Sequence, residues 1–332
     1  MSVNIPLIDI SAYPAGGEAA IAALARTVDR ACTDIGFLLV SGHGVPDRLI
    51  DDIRRVSRRF FAGAETAKLA YRMPADRYRG YVAMESEALA NSLDEPTPPD
   101  IKESFNIGPL EGPMDAYRRA ATPARFFAEN LWPDDDEFRA VWSAYYRAME
   151  GLSFRLMRIF ALALGMSESF FDDKIDRHIT NFTVLHYPAQ KHPPKPGQLR
   201  AGAHTDYGSL TIVKPDDTPG GLQVLDKTGR WIDVPHVPEA FVVNLGDLMA
   251  DWTNDRWVST MHRVVNPPAG SPVSAGRISM AFFHQPNYDA VIECLPTCTD
   301  PERPPRHKAT TSGEHVWMKI TKHRDTDPGA AA

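Results

Sequence analysis

His204 and Asp206 stand two residues apart in His204-Thr205-Asp206, an imidazole and a carboxylate that can share one metal ion. On an extended strand, positions i and i+2 project from the same face, so both side chains reach the ion from a single strand edge. A third ligand has to come from another segment, and His262 lies on a second β-prone run, Met261-His262-Arg263-Val264-Val265. Two histidines and one carboxylate on one face of an octahedral ion leave three coordination positions open. Non-haem Fe(II) sites that bind a co-substrate and O2 together need that arrangement. The same ligands also suit Zn2+ in a hydrolase, with water as fourth ligand, or a barrel that holds metal without catalysis. An isolated His-x-Asp is also common as a surface or structural pair. Against the hydrolase, no obvious general base stands beside the ligands. His43, His178, His192, His236 and His323 show no partner pattern and read as ordinary side chains.

A second group follows 15 residues after His262, where Arg277-Ile278-Ser279 again puts two polar groups on one strand face. The rest of that strand is apolar, and a guanidinium buried there without a partner is costly. A small molecule bearing a carboxylate satisfies it, since guanidinium suits bidentate carboxylate binding. An internal salt bridge to an Asp or Glu is the plain alternative.

These residues need strands to carry them, and the region after Ile179 has the texture of strands. Short β-prone runs separated by turn residues cover Ile179 to Tyr187, Ser209 to Val213, Gly221 to Leu225, Ala240 to Asn244, His262 to Val265 and Arg277 to Phe283. Such spacing predicts a sandwich or barrel rather than a parallel sheet alternating with helices. The first part reads as mixed. Ile5 to Ile10 and Gly36 to Val40 are strand candidates. Helical spacing of apolar residues runs over Ala19 to Cys32, after Pro46, and most strongly from about Asp134 to Leu164. Met84 to Pro99 reads as a loop, a last helix covers roughly Gly313 to Thr321, and the Ala-rich tail after Asp327 reads as disordered.

The bulk numbers bound the function. The 332 residues suffice for one large domain or two small ones, with 43% hydrophobic and 24% charged residues as in ordinary globular proteins. A net charge of −7 argues against nucleic acid as partner, because phosphate binding needs a basic surface. No stretch reaches the roughly 20 apolar residues of a membrane span, and Met1 to Ile10 lacks the features of a secretion signal. Cys32, Cys294 and Cys298 form no disulfide framework, which fits a reducing, cytoplasmic setting.

Taken together, the residues resemble the isopenicillin N synthase-like family of Fe(II)/2-oxoglutarate-dependent oxygenases. The resemblance runs from Ile5 to about Thr321 with its pieces in the family's order. They include Ser41-Gly42-His43-Gly44-Val45, Asp100 to Phe105, His204-Thr205-Asp206, Gly220 to Val224, Trp231 to Pro235, Asn244-Leu245-Gly246-Asp247, His262-Arg263-Val264, Arg277-Ile278-Ser279 and Gly313-Glu314-His315. It implies a mainly β fold with flanking helices, a double-stranded β-helix or jelly roll. Residues 1–178 would be a helical and mixed support region and residues 179–325 the oxygenase core.

Carried over position by position, His204, Asp206 and His262 match the iron ligands. Arg277 and Ser279 match the pair that binds the distal carboxylate of 2-oxoglutarate, and Tyr187 matches a tyrosine that often joins them. Leu185 stands where many plant relatives have an asparagine at the metal-proximal end of that co-substrate. The implied reaction uses Fe(II), 2-oxoglutarate and O2 to hydroxylate, desaturate or cyclise a small-molecule substrate, releasing succinate and CO2. An oxidase of the same fold that works without 2-oxoglutarate would turn Arg277 and Ser279 to its substrate's own carboxylate, so these two residues do not separate the readings.

Alternation from Arg277 and Tyr187 places Phe283, Gln285 and Thr183 towards the mouth where substrate enters, with Met84 to Pro99 as a lid. Ordinary core is the competing reading for Phe283. The fold does not choose among substrates, and the oligomeric state is unassigned.

Overall fold

The computed structural model describes residues 5–74, 77–90, 97–110, 124–190, 192–216, 221–267 and 276–324. Its strands are β1 (Leu7–Asp9), β2 (Phe37–Ser41), β3 (Gly80–Val82), β4 (Glu103–Ile107), β5 (Asn181–Tyr187), β6 (Ala201–His204), β7 (Leu210–Pro215), β8 (Leu222–Leu225), β9 (Trp231–Asp233), β10 (Phe241–Leu245), β11 (His262–Val264) and β12 (Arg277–His284), with a small hairpin of β13 (Val291–Ile292) and β14 (Thr310–Thr311). Eight strands form a major sheet in the order β1-β2-β10-β7-β12-β5-β4-β3, and four form a minor sheet, β6-β11-β8-β9. All pairings are antiparallel except β1 with β2. Phe37 and Leu39 of β2 and Val242 of β10 pack with Val224 of β8, so the sheets close on each other as a jelly roll.

Side-chain alternation on β5 and β12 divides two environments. Phe182, Val184, Ile278, Met280 and Phe282 face outwards into the largest apolar cluster. Covering that face is the long helix Asp136–Ala163, where Asp135 caps the first turn by accepting from the Phe138 amide at 3.0 Å. Phe138, Trp142, Tyr145, Met149, Leu152, Leu156 and Ile159 recur at helical spacing and are buried along it. The Trp142 and Phe182 ring centres lie 5.0 Å apart, and those of Tyr146 and Phe282 lie 5.2 Å apart. The opposite, inward face of the same strands carries Thr183, Leu185, Tyr187, Arg277, Ser279 and Phe283.

Helices Glu18–Asp34 and Asp47–Phe61 form where apolar periodicity places them, and the last helix is Ser312–Arg324. Residues 1–178 also donate β1 to β4 to the major sheet, and two of these are poorly marked in the sequence. Every residue of β4 is buried although the strand reads Glu-Ser-Phe-Asn-Ile. Glu103 is accommodated by Lys68 Nζ at 2.6 Å and His186 Nδ1 at 2.7 Å. Within Met84 to Pro99, the described residues form neither strand nor α-helix, and residues 91–96 lie outside them. The tail after Asp327 also lies outside. Among the described residues no helix is long and apolar enough to cross a membrane.

Because Trp142 is fully buried between helix and sheet, Trp142→Ala should cost about 3–5 kcal/mol of stability. Denaturant unfolding measures that loss, and metal affinity of the folded variant should be unchanged because the indole sits on the far face of β5.

Candidate metal centre

Strand β6 ends on His204, which lies opposite His262 in the β6–β11 pairing. Their ring centres are 4.3 Å apart. Asp206 falls just beyond the ladder rather than on the strand itself, yet the spacing still brings its carboxylate to the histidines. Asp206 Oδ1 lies 3.8 Å from His204 Nε2 and 3.7 Å from His262 Nε2. One ligand atom from each of the three lies within 4.8 Å of the others.

The groups behind these atoms decide what they can bind. His204 Nδ1 donates to the Gly202 carbonyl at 2.7 Å, and His262 Nδ1 to the Thr260 carbonyl at 3.0 Å. Each bond assigns the proton to Nδ1 and leaves the Nε2 lone pair facing Asp206. The Phe37 ring packs edge-on to His262 at 5.4 Å. Asp206 Oδ2 accepts from Thr211 Oγ1 and from Asn244 Nδ2, each at 2.6 Å, so Oδ1 is left to point between the imidazoles. Burial, and next the neighbouring His262, push the His204 pKa down to about 4. Burial alone would raise Asp206, but His262, His204 and the bonds from Asn244 and Thr211 outweigh it and hold the carboxyl below its usual range. Two imidazole nitrogens and one carboxylate oxygen form a donor set that fits Fe(II).

The turn after Asp206 is fastened by backbone closeness. A side chain at Gly208 would collide with the His284 carbonyl, and one at Gly246 with Gly208 itself. Asp247 then joins three segments. Its amide donates to the Asp206 carbonyl at 2.8 Å, and its carboxylate takes Ser259 Oγ at 2.8 Å and Lys319 Nζ of the last helix at 2.8 Å.

Next to this centre, β12 pairs with β5 so that Arg277 lies opposite Tyr187 and Ser279 opposite Leu185. All but the half-buried Leu185 are buried. The Arg277 guanidinium reaches to the minor sheet, 3.7 Å from where a Cβ on Gly221 would stand. A cavity open to solvent lies over His204 and Asp206, and Thr183, Leu185, Phe283 and Gln285 line it. Alternation therefore brings all three candidate substrate residues to the metal ligands, and Phe283 is half-buried at the cavity, not core. Glu87 and Lys102 of the N-terminal part and Val316 and Ile320 of the last helix complete walls that the sequence does not identify. Thr211 and Asn244 carry no signal of a role of their own, although Asn244 opens the motif Asn244-Leu245-Gly246-Asp247.

Known proteins resemble this chain along nearly its whole length. Residues 5–135 match the family described as non-haem dioxygenase in morphine synthesis N-terminal, and residues 179–286 match the 2OG-Fe(II) oxygenase superfamily. The 2-oxoglutarate-Fe(II) type oxidoreductase hxnY of Emericella nidulans is 35% identical over 94% of this chain and 88% of its own. The homoarginine-6-hydroxylase 2-ODD-C23 of Glycine max is 32% identical over 96% of both chains. A full-length Neurospora crassa protein, crystallised in complex with alpha-KG and thymine, superposes with a TM-score of 0.83, at 31% identity, over 96% of this chain and 97% of that one.

This chain belongs to the 2-oxoglutarate/Fe(II) oxygenase superfamily. It is an oxidoreductase of the dioxygenase type that uses Fe(II), 2-oxoglutarate and O2, and the zinc-hydrolase and non-catalytic readings are set aside.

The bonds to Asp206 Oδ2 give a test of the centre. Removing a partner that orients a metal ligand commonly costs 10–100-fold in affinity. Asn244→Leu should weaken Fe(II) binding by roughly that factor, measured by anaerobic metal titration, while Gln223→Leu on the far side of β8 should not.

Proposed function

We propose that His204, Asp206 and His262 hold the iron, that Arg277, Ser279 and Tyr187 hold 2-oxoglutarate, and that Thr183, Phe283 and Gln285 contact a small-molecule substrate. The observation that carries this reading is the convergence of the two Nε2 atoms and Asp206 Oδ1, with every other polar atom of those three side chains already engaged by the protein. Residues 1–178 and 179–325 act as support and core of one fold, because β1 to β4 hydrogen-bond into the sheet that carries the site.

When bound, iron and 2-oxoglutarate together supply an oxidant drawn from O2, with succinate and CO2 as products. The chain's own residues do the rest. Arg277 and Ser279 fix the far end of the co-substrate, and Tyr187 packs beside them. Leu185, opposite Ser279, lines the cavity with hydrocarbon. Thr183 and Gln285 offer hydrogen-bonding groups to the substrate from the inner face of the major sheet, while Phe283 supplies an apolar surface. Val316 and Ile320 close the cavity from the last helix and restrict water.

Anaerobic loading with Fe(II) and 2-oxoglutarate, followed by a screen of metabolites for O2-dependent succinate release, tests the reading. His204→Ala and Asp206→Ala should abolish Fe(II) binding and succinate release while circular dichroism and melting remain those of a folded protein. Full Fe(II) affinity in both variants would overturn the ligand assignment.

Phe283→Ala separates substrate from co-substrate. It should lower substrate-coupled turnover and leave Fe(II) and 2-oxoglutarate affinities within about twofold, since Phe283 lies six residues along β12 from Arg277. Normal substrate kinetics in this variant would remove Phe283 from the pocket.

A further inference from the structure

Arg200 immediately precedes β6 and is fully buried, with 0% of its surface exposed. Among the described residues, none of its three guanidinium nitrogens has a hydrogen-bond partner. A cation removed from water in this way is costly unless something pairs with it. Its guanidinium carbon lies 5.9 Å from the centre of the Tyr187 ring, the outer limit of a cation–π contact. By alternation Arg200 shares the face of Gly202 and His204, the side of β6 that looks into the barrel.

Tyr187 is also the residue opposite Arg277 across β5 and β12. Two buried guanidinium groups therefore flank one phenol. Burial, and next the charge of Arg277, depress the pKa of Arg200, as expected for like charges in one compartment. Asp216 is the acid that acts on both arginines. Its Oδ2, however, already accepts from the Ile278 amide at 2.8 Å and Arg58 Nη2 at 3.1 Å. Arg200 itself has no hydrogen-bonding anion among the described residues, and the carboxylate of a ligand would supply one.

We propose that Arg200 is a second cation for the distal carboxylate of 2-oxoglutarate, which would lie between Arg200 and Arg277 beside Tyr187. This rests on the co-substrate reading given above. It makes Arg200 a specificity-determining residue, one that favours 2-oxo dicarboxylates over 2-oxo acids with an uncharged tail.

Anaerobic calorimetric titration of the Fe(II)-loaded protein tests this, with 2-oxoglutarate and with oxalate, which offers a chelating end and no distal carboxylate. Arg200→Gln should weaken 2-oxoglutarate at least tenfold and leave oxalate within twofold, and Arg200→Lys should recover part of the loss. Melting curves and Fe(II) affinity identify folded variants, and Arg200→Lys serves alone if Arg200→Gln does not fold. Unchanged 2-oxoglutarate affinity, or an equal loss for both ligands, would overturn the role of Arg200. Failure of the wild-type protein to bind 2-oxoglutarate would instead overturn the co-substrate reading on which it rests.

Discussion

A carboxylate buried between two imidazoles has to be held in position before any metal arrives, and in this chain the holding is done through the oxygen that the metal does not need. Thr211 and Asn244 both donate to Asp206 Oδ2. They come from β7 and β10, neighbours in the centre of the major sheet, while the histidines come from β6 and β11 of the minor sheet. The centre is thus strung between the two sheets, and its geometry is only as good as their packing. The apolar cluster of Phe37, Leu39, Val224 and Val242 is therefore part of the metal site in an energetic sense, and Phe37 packs directly against the His262 ring.

The same arrangement accounts for the division of labour in the major sheet. Strands β5 and β12 are buried on both faces, which for ordinary sheets means hydrophobic residues throughout. Here only the face against the long helix is mainly apolar, with His186 and His284 at its ends. The other face mixes Thr183, Ser279, Arg277 and Tyr187 with Leu185 and Phe283, a composition that a water-excluded site for a polar ligand requires and that a structural core would not tolerate. Stability resides mainly on one face and chemistry on the other, separated by a single thickness of backbone.

Much of this was legible in the sequence because it depends on period-two geometry. Arg277 with Ser279 and the placement of Thr183, Phe283 and Gln285 follow from counting along a strand, and the same count paired His204 with Asp206 although Asp206 lies just past the end of β6. His262 was a candidate third ligand from its own β-prone run, and the family resemblance matched it to the iron ligands and added Tyr187 beside Arg277. The less legible parts are short or polar. β4 carries Glu103, Ser104 and Asn106, whose burial makes sense only once Lys68 and His186 are seen to surround Glu103. Thr211 and Asn244 are unremarkable in sequence, since their role exists only through a partner 5 and 38 residues away. Arg200 is different. The pattern that marks Arg277, a guanidinium amid small and apolar residues, is equally present in Leu199-Arg200-Ala201.

Alternation on β5 and β12 also limits how such a protein can diverge. A substitution at 183, 283 or 285 alters the lining of the cavity and leaves the helix-facing residues alone, so the cavity can be reshaped one codon at a time. Insertion or deletion of a single residue within either strand is another matter. It would turn Phe182 or Phe282 inwards and send Thr183 or Phe283 against the long helix, exchanging the two environments in one step. Length variation among descendants of this chain is thereby confined to the connections between strands, and innovation within the barrel must proceed by replacement alone.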